Sequence, residues 1–217
     1  MPGPPVPSAA PGGAAPQTRE RILDVAEQLF AERGFAGTSV RDIAASAGLT
    51  AASLYNHFDG KEALYDAVLE RGIRPLVLLM QTRAGSDPGG ETSAALVGEV
   101  MEHMRRRPHL PRLIQHEALT GGAHVTRLAR EWLRPLLEYG TAEMKRGASP
   151  FEPDEYPLMI AAWIHLILGH FTMAPLFREV FDEDPLGGRM LESQIRFLQK
   201  LARALSRTQS RRDAPGQ

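Results

Sequence analysis

Residues 48–64, GLTAASLYNHFDGKEAL, form the densest polar and aromatic cluster in the chain. The hydrogen-bonding groups in it are hydroxyl, amide, imidazole and ammonium groups, from Thr50, Ser53, Tyr55, Asn56, His57 and Lys61. Groups of these types donate to phosphate oxygens and pair with base edges. This stretch therefore offers recognition by hydrogen bonds, provided that the chain holds it on a rigid, exposed element.

Residues that would support other chemistry are scattered. Two histidines four residues apart on one helix would favour a zinc site, but His165 and His170 are five apart. There is no phosphate-binding glycine loop, no H-E-x-x-H and no nucleophile elbow. The chain has no cysteine, which excludes thiolate sites and agrees with a cytoplasmic protein. We expect no catalytic residue, no metal and no cofactor; the histidines are interpreted as pocket or surface groups.

The elements that must position these groups are helices. With 43% hydrophobic and 24% charged residues, the composition is that of a soluble globular protein. No apolar run approaches the ~20 residues that cross a bilayer, so no membrane association is expected. Helical periodicity without alternating strand runs predicts an all-α protein of about nine helices. They are expected at 18–33, after Ser39, after Thr50, and at 61–83, 91–107, 109–120, 123–147, 154–181 and 187–207.

The segment VRDIAASAGLTAASLYNHF is predicted to be two short helices joined by a tight turn. Ser39, with Asp42 three residues later, forms a capping box for the first, and Thr50 caps the second. Gly48 can take the positive φ that the turn requires. Apolar residues on both helices can share a core with the helix at 18–33. This is helix-turn-helix geometry, whose second helix lies in the major groove of DNA.

Residues 18–64 resemble the N-terminal domain of the TetR family of bacterial transcriptional regulators. The matching features are an apolar first helix ending in ERGF, a Thr-Ser pair, and then DIA, AG, LY-HF and KEAL at fixed spacings. The remaining chain resembles the family only in being helical and of the usual length. The resemblance implies a three-helix DNA-binding domain at 17–62 and a helical ligand-binding and dimerisation domain at 63–207. The segments 1–16 and 208–217 are expected to be disordered tails.

The DNA-contacting residues follow from the resemblance and from helical phase. Ala51, Ala52 and Ser53 occupy positions that face base edges in the family, although alanines also simply favour helix. Tyr55 resembles the family tyrosine that contacts a phosphate, and Lys61 the lysine that holds the DNA backbone. Residues with open alternatives are Thr50 (helix cap or phosphate), Asn56 (adenine, phosphate or solvent), His57 (phosphate or helix end) and Arg41 (base or phosphate).

The charge balance of this region limits how it can bind DNA. Residues 17–70 contain five Lys or Arg and nine Asp or Glu. Strong nonspecific binding by a basic face is therefore not expected. With few phosphate contacts per subunit, affinity should depend heavily on dimerisation. The partners expected from the resemblance are a palindromic double-stranded operator, a small-molecule effector and a second copy of the chain.

The second domain offers large adaptable side chains that line a cavity or fill a core. The candidates for binding a mostly apolar effector are Met80, Met104, His116, Glu117, Trp132, Trp163, His170 and Phe171. For the dimer, stripes on the last two predicted helices are the candidates: Ala161, His165, Gly169, Met173, Leu191, Ile195, Leu198, Ala202 and Leu205. The function implied is a repressor released from its operator by the effector. The alternative is a helical ligand carrier or partner-binding protein with a vestigial DNA-binding domain.

Overall fold

A computed structural model describes residues 14–83, 90–121, 124–146 and 151–207 of the chain. These residues form eleven α-helices and one π-helical segment, and no strand occurs among them. The all-α prediction is confirmed. Within the described ranges, no single helix is long and apolar enough to cross a membrane; one bent pair, Tyr156–Thr172 with Ala174–Phe181, passes only when taken together.

The chain divides into two compact units, the first ending at Val68 and the second beginning at Leu69. The first unit contains α1 (Ala14–Arg33), α2 (Val40–Ser46), α3 (Ala51–Tyr55) and the beginning of α4 (Lys61–Arg83). Helix α1 begins three residues inside the segment expected to be a tail. The rest of the two expected tails lies outside the described residues.

A small apolar core holds the first unit together. Ile22 and Phe30 of α1, Ile43 of α2 and Leu54 of α3 are fully buried. Tyr65 of α4 is also fully buried, and its ring packs edge-on against Phe30 at a centroid distance of 4.9 Å. The core therefore consists of one apolar face from each of these helices. Burying those faces leaves the opposite faces in contact with solvent.

The second unit contains the rest of α4 and seven further α-helices. They are α5 (Gly90–Arg106), α6 (Leu110–Thr120), α7 (Val125–Arg127), α8 (Arg134–Arg146), α9 (Tyr156–Thr172), α10 (Ala174–Phe181) and α11 (Gly188–Arg207), with a π-helical segment at Leu128–Leu133. Helix α11 packs along α5, and α9 packs against α6 and α8. Met101 of α5, Leu113 of α6 and Leu198 of α11 are fully buried at these contacts.

Two expected helices are interrupted by proline. The prediction of one helix over 154–181 is wrong, because α9 ends at Thr172 and α10 begins at Ala174 with a bend of 68°. Pro175 lies in the first turn of α10 and has no N–H to continue the α9 ladder. In the helix expected over 123–147, the π segment ends two residues before Pro135. Because proline has no backbone N–H, Pro135 cannot donate to the carbonyl of Glu131.

Helix α4 lies close to α6 at Gly72. A Cβ at Gly72 would lie 2.6 Å from Leu110 Cδ1, so a larger residue would force the Leu110 side chain to move. His103 of α5 donates from Nε2 to the carbonyl of Gly72 at 2.6 Å. Pro75 lies inside α4 one turn later. This part of α4 is therefore fixed by a close contact and a hydrogen bond from two different helices.

Candidate functional site

Helix α3 presents a polar, exposed surface on a fixed support. The Thr50 hydroxyl accepts the Ser53 amide at 3.1 Å, which confirms the predicted cap. Leu54 is fully buried and holds the opposite face of the helix against the core. Tyr55 is 53% exposed, so its hydroxyl is not a core group. Exposed residues of the same face are Ala52 and Asn56, and Ala51, Ser53 and His57 are half-buried beside them.

The turn between α2 and α3 has the predicted geometry. Gly48 has φ +68°, a left-handed conformation that favours glycine, and it leads directly into the extended residues before α3. The capping box is confirmed: the Asp42 amide donates to the Ser39 hydroxyl at 3.1 Å and its carboxylate accepts from that residue. The hydrogen bond from the Ser39 hydroxyl lowers the pKa of Asp42. Arg41 is exposed at the start of α2, where its side chain is open to a ligand.

Lys61 has a role within the chain that the sequence reading did not include. Its ammonium group donates to the carbonyl oxygens of Phe35 at 2.8 Å and Thr38 at 2.9 Å. The Thr38 side chain is itself buried and donates to the carbonyl of Gly34 at 2.9 Å. Lys61 therefore ties the start of α4 to the connection between α1 and α2. Two of its three N–H donors are used in this way, and its contact with the DNA backbone stays a prediction.

The second unit contains a cavity of about 280 Å³. Its wall combines side chains from α4, α5, α6, α8, α9 and α11 with both ends of the π segment, and most of them are aliphatic or thioether groups. Among the described lining residues, four side chains carry a hydroxyl or a carboxyl group: Thr92, Ser93, Tyr139 and Glu143. The volume lies at the lower end of the range of roughly 300–1,000 Å³ that is typical of small-molecule sites.

Three of the eight predicted effector residues line this cavity, namely Met80, Met104 and Trp163. The other five, His116, Glu117, Trp132, His170 and Phe171, do not line this cavity, and their contact with an effector stays a prediction.

Two of these five side chains make hydrogen bonds within the chain. Glu117 is buried and accepts the amide of His124 at 3.0 Å, which stabilises the turn after α6. His170 is 8% exposed, and its Nε2 donates to the carbonyl of Pro185 at 3.1 Å. Burial lowers the pKa of His170, with the hydrogen bond to Pro185 opposing the change. Both side chains satisfy backbone groups of loops, which periodicity in a sequence does not reveal.

The sequence reading missed the polar part of the cavity wall. Tyr139 and Glu143 lie one turn apart on α8, and this i, i+4 spacing was visible in the sequence. They were overlooked because α8 is rich in charged residues and reads as a solvated helix. Burial, with the nearby Glu143 carboxylate, raises the pKa of Tyr139.

The predicted dimer residues divide between two environments. On α9, His165 and Met173 are exposed, and Ala161 and Gly169 are half-buried beside them. On α11, Leu191, Leu198 and Ala202 are buried inside their own chain, which does not favour the predicted contact with a second copy. Ile195 is half-buried on the same side of α11, and Leu205, like Ala202, lines the cavity. This stripe packs inwards because α5 covers it. The residue that α11 exposes instead is Phe197, at 57%.

Metal binding has no support in the parts of the chain that the structure describes. Among residues 14–83, 90–121, 124–146 and 151–207, no group of three or more His, Asp or Glu side chains is arranged to hold an ion.

Comparison with known proteins identifies the first unit. Residues 22–68 match the family model described as "Bacterial regulatory proteins, tetR family". The repressor KstR2 of Rhodococcus jostii is 55% identical over 51 residues, which are 24% of this chain and 25% of that protein. The regulator AcrR of Shigella flexneri is 39% identical over 77 residues, 34% of this chain and 36% of that protein. The chain thus matches about a quarter to a third of the length of these curated relatives.

Solved structures share the fold over most of the chain. KstR2 of Mycobacterium tuberculosis, a ketosteroid transcriptional regulator, superposes with a TM-score of 0.67 at 22% identity, covering 87% of this chain and 95% of that one. FadR of Bacillus halodurans, a fatty acid degradation regulator, gives 0.65 at 16% identity, with coverages of 93% and 99%. These likenesses establish the fold of both units. The match over residues 22–68 places the first unit in the tetR family of bacterial regulatory proteins, and the solved structures add the fold of the second unit.

Proposed function

We propose that this protein is a DNA-binding transcriptional repressor that leaves its operator when a small, mostly apolar molecule occupies the cavity. The observation that carries the proposal is the exposed face of α3, where Tyr55 and Asn56 stand beside small residues on a capped helix. A helix of this kind, held by a buried Leu54, meets the requirements of a recognition helix in the major groove. The core of the helix-turn-helix is intact, which argues against a vestigial DNA-binding domain.

In this proposal, different residues contact the phosphates and the bases of the DNA. The hydroxyl of Tyr55 and the side chains of Arg41, His57 and Lys61 position the protein on the DNA backbone. Ser53 and Asn56 read base edges, and Ala51 and Ala52 contact thymine methyl groups. The Thr50 hydroxyl accepts the Ser53 amide, so its role as the cap of α3 leaves its phosphate contact a prediction.

The effector acts through α4, which begins in the first unit at Lys61 and ends in the second at Arg83. Ile73, Leu76 and Met80 of this helix line the cavity. An effector changes DNA affinity only if it binds the DNA-free arrangement more tightly than the DNA-bound one. By linkage, operator DNA must then weaken effector binding by the same factor.

The operator is proposed to be read by a homodimer. Exposed apolar side chains on the last helices support this, because leaving such side chains in water is unfavourable in a monomer. They include Leu158 and Leu166 on α9, Met173 next to it, and Phe197 on α11. Two recognition helices enter successive major grooves when they stand about 34–36 Å apart. A two-fold dimer would give that spacing and a palindromic operator.

The test is selection of bound sequences from a random DNA pool, followed by titration of the selected site in the presence of apolar small molecules. The proposal expects a palindromic consensus and at least one compound that releases the DNA. Two titrations of that compound, with and without saturating operator, then measure the coupling. Selection that yields no consensus would leave the carrier function as the better description.

A further inference from the structure

The cavity of the second unit has one polar region in an otherwise apolar wall, and its charges determine which ligands it accepts. Tyr139 and Glu143 lie on the same face of α8, one turn apart, and both line the cavity. Around them the lining groups are aliphatic, such as Ile160 and Leu168 of α9. A ligand therefore meets hydrogen-bonding groups on α8, with two further hydroxyls on Thr92 and Ser93 at the start of α5.

Among the described lining residues the one carboxylate, that of Glu143, already has a cationic partner outside the wall. Glu143 forms an ion pair with Arg146, which is one turn further along α8 and is not a lining residue. Arg83 acts on the Tyr139 hydroxyl electrostatically, and it is itself paired with Glu99. Neither Arg83 nor Glu99 lines the cavity. The described charges close to Tyr139 thus occur as two ion pairs, and none of the described lining side chains is a cation.

A charged ligand group would be disfavoured at this position. A carboxylate would lie beside Glu143, with no cation among the described lining residues, and burying an unpaired charge in an apolar cavity is unfavourable. An ammonium group would have to compete with Arg146 for Glu143. An uncharged oxygen needs no cation and does not have to displace Arg146. The Tyr139 hydroxyl can donate to it or accept from it, and Glu143 can accept from it.

We infer that the effector is an uncharged, mostly apolar molecule with an alcohol or ketone oxygen that is bound by Tyr139. This inference rests on the proposed function, since it names the ligand class of the cavity assigned there to the effector. The specificity of effector binding comes from the Tyr139 and Glu143 pair on α8, and the affinity comes from the apolar wall of the cavity.

The experiment compares probes with one alkyl chain and different ends: decanol, decanoate, decylamine and chlorodecane. Binding to the full-length protein is followed without DNA through the fluorescence of Trp163, which lines the cavity, in a Trp132→Phe background. At neutral pH decanol should bind at least about tenfold more tightly than decanoate and decylamine, a difference of about 1.4 kcal/mol. Decanoate or decylamine binding as tightly as decanol would overturn the inference.

Variants separate the hydroxyl from general packing. Tyr139→Phe should weaken decanol about three- to tenfold and leave chlorodecane unchanged. Tyr156→Phe is the matched control, because Tyr156 is buried outside the cavity wall. Glu143→Gln should raise the affinity of decanoate relative to decanol. Equal losses of decanol and chlorodecane in Tyr139→Phe would contradict a role for the oxygen.

Separate results would reject the proposed ligand class and the proposed ligand-released repression. Selective binding of decanol with no effect of any compound on operator affinity would sustain the ligand class and reject ligand-released repression. Release of DNA by a carboxylate or an amine, with weaker binding of decanol, would sustain repression and reject the ligand class.

Discussion

The ammonium group of Lys61 lies 2.8 Å from the carbonyl oxygen of Phe35 and 4.1 Å from the centre of that residue's ring. A cation held by a carbonyl and an aromatic face contributes to the stability of the first unit, whatever it does with DNA. The contact fixes the start of α4 to the connection that precedes α2. Lys61 is therefore part of the structural support of the first unit.

Replacing Lys61 by methionine should lower the free energy of unfolding by about 1–3 kcal/mol, because charged hydrogen bonds and a cation–π contact are lost. Denaturant unfolding measures the change, and Lys145→Met on the exposed end of α8 is the control. Weaker DNA binding with unchanged stability would show instead that Lys61 acts only on the phosphate backbone.

Tyr55→Phe should weaken binding about three- to tenfold on all operator variants, since it removes one phosphate hydrogen bond. Ser53→Ala should instead change the order of preference among the variants. Affinities against a selected site and its point variants measure both effects. The proposed docking fails if the tyrosine variant alters the preferred sequence and the serine variant does not.

Two neighbours on α11 provide a matched test of the dimer face. Phe197→Glu should produce a folded monomer, because the side chain is exposed, and operator affinity should fall about a hundredfold or more. Leu198→Glu should unfold the second unit, because Leu198 is fully buried. Sedimentation gives the mass and circular dichroism the fold. A folded Phe197→Glu dimer with normal operator affinity would place the interface elsewhere.

The stability of the second unit should fall as the pH is lowered through the ordinary histidine range. Burial lowers the pKa of His170 below its usual value of 6.5, so the unfolded chain takes up a proton at a higher pH than the folded one. The stabilisation is therefore complete above about pH 6.5 and is lost as the pH falls towards the folded pKa. His170→Gln should flatten the thermal-unfolding profile between pH 7 and 5, and His165→Gln, on the exposed face, should not. A parallel loss of stability in both variants would assign the pH effect to other groups.

The helix-turn-helix was predictable because its determinants are local. The Ser39 box, the Thr50 cap and the positive φ of Gly48 each depend on residues within three positions, and all three are present in the structure. The burial of Leu54 and Phe58 also follows from helical phase in a short helix with one apolar side. The spacing of these signals made this part of the chain recognisable before any tertiary contact was known.

The second unit was harder to predict because its helices have more than one apolar face. The apolar stripe of α11 could equally form a dimer interface or face the core of its own unit. The packing of α5 against it decides that it faces the core. His170 and Glu117 were read as ligand groups, but nearby loop backbones use their polar atoms. Tyr139 and Glu143 become wall residues because α8 packs against α9, with Ile160 close to Gly140. Periodicity shows which faces are apolar, whereas the partner of each face is set by contacts distant in the chain, and these only the tertiary structure decides.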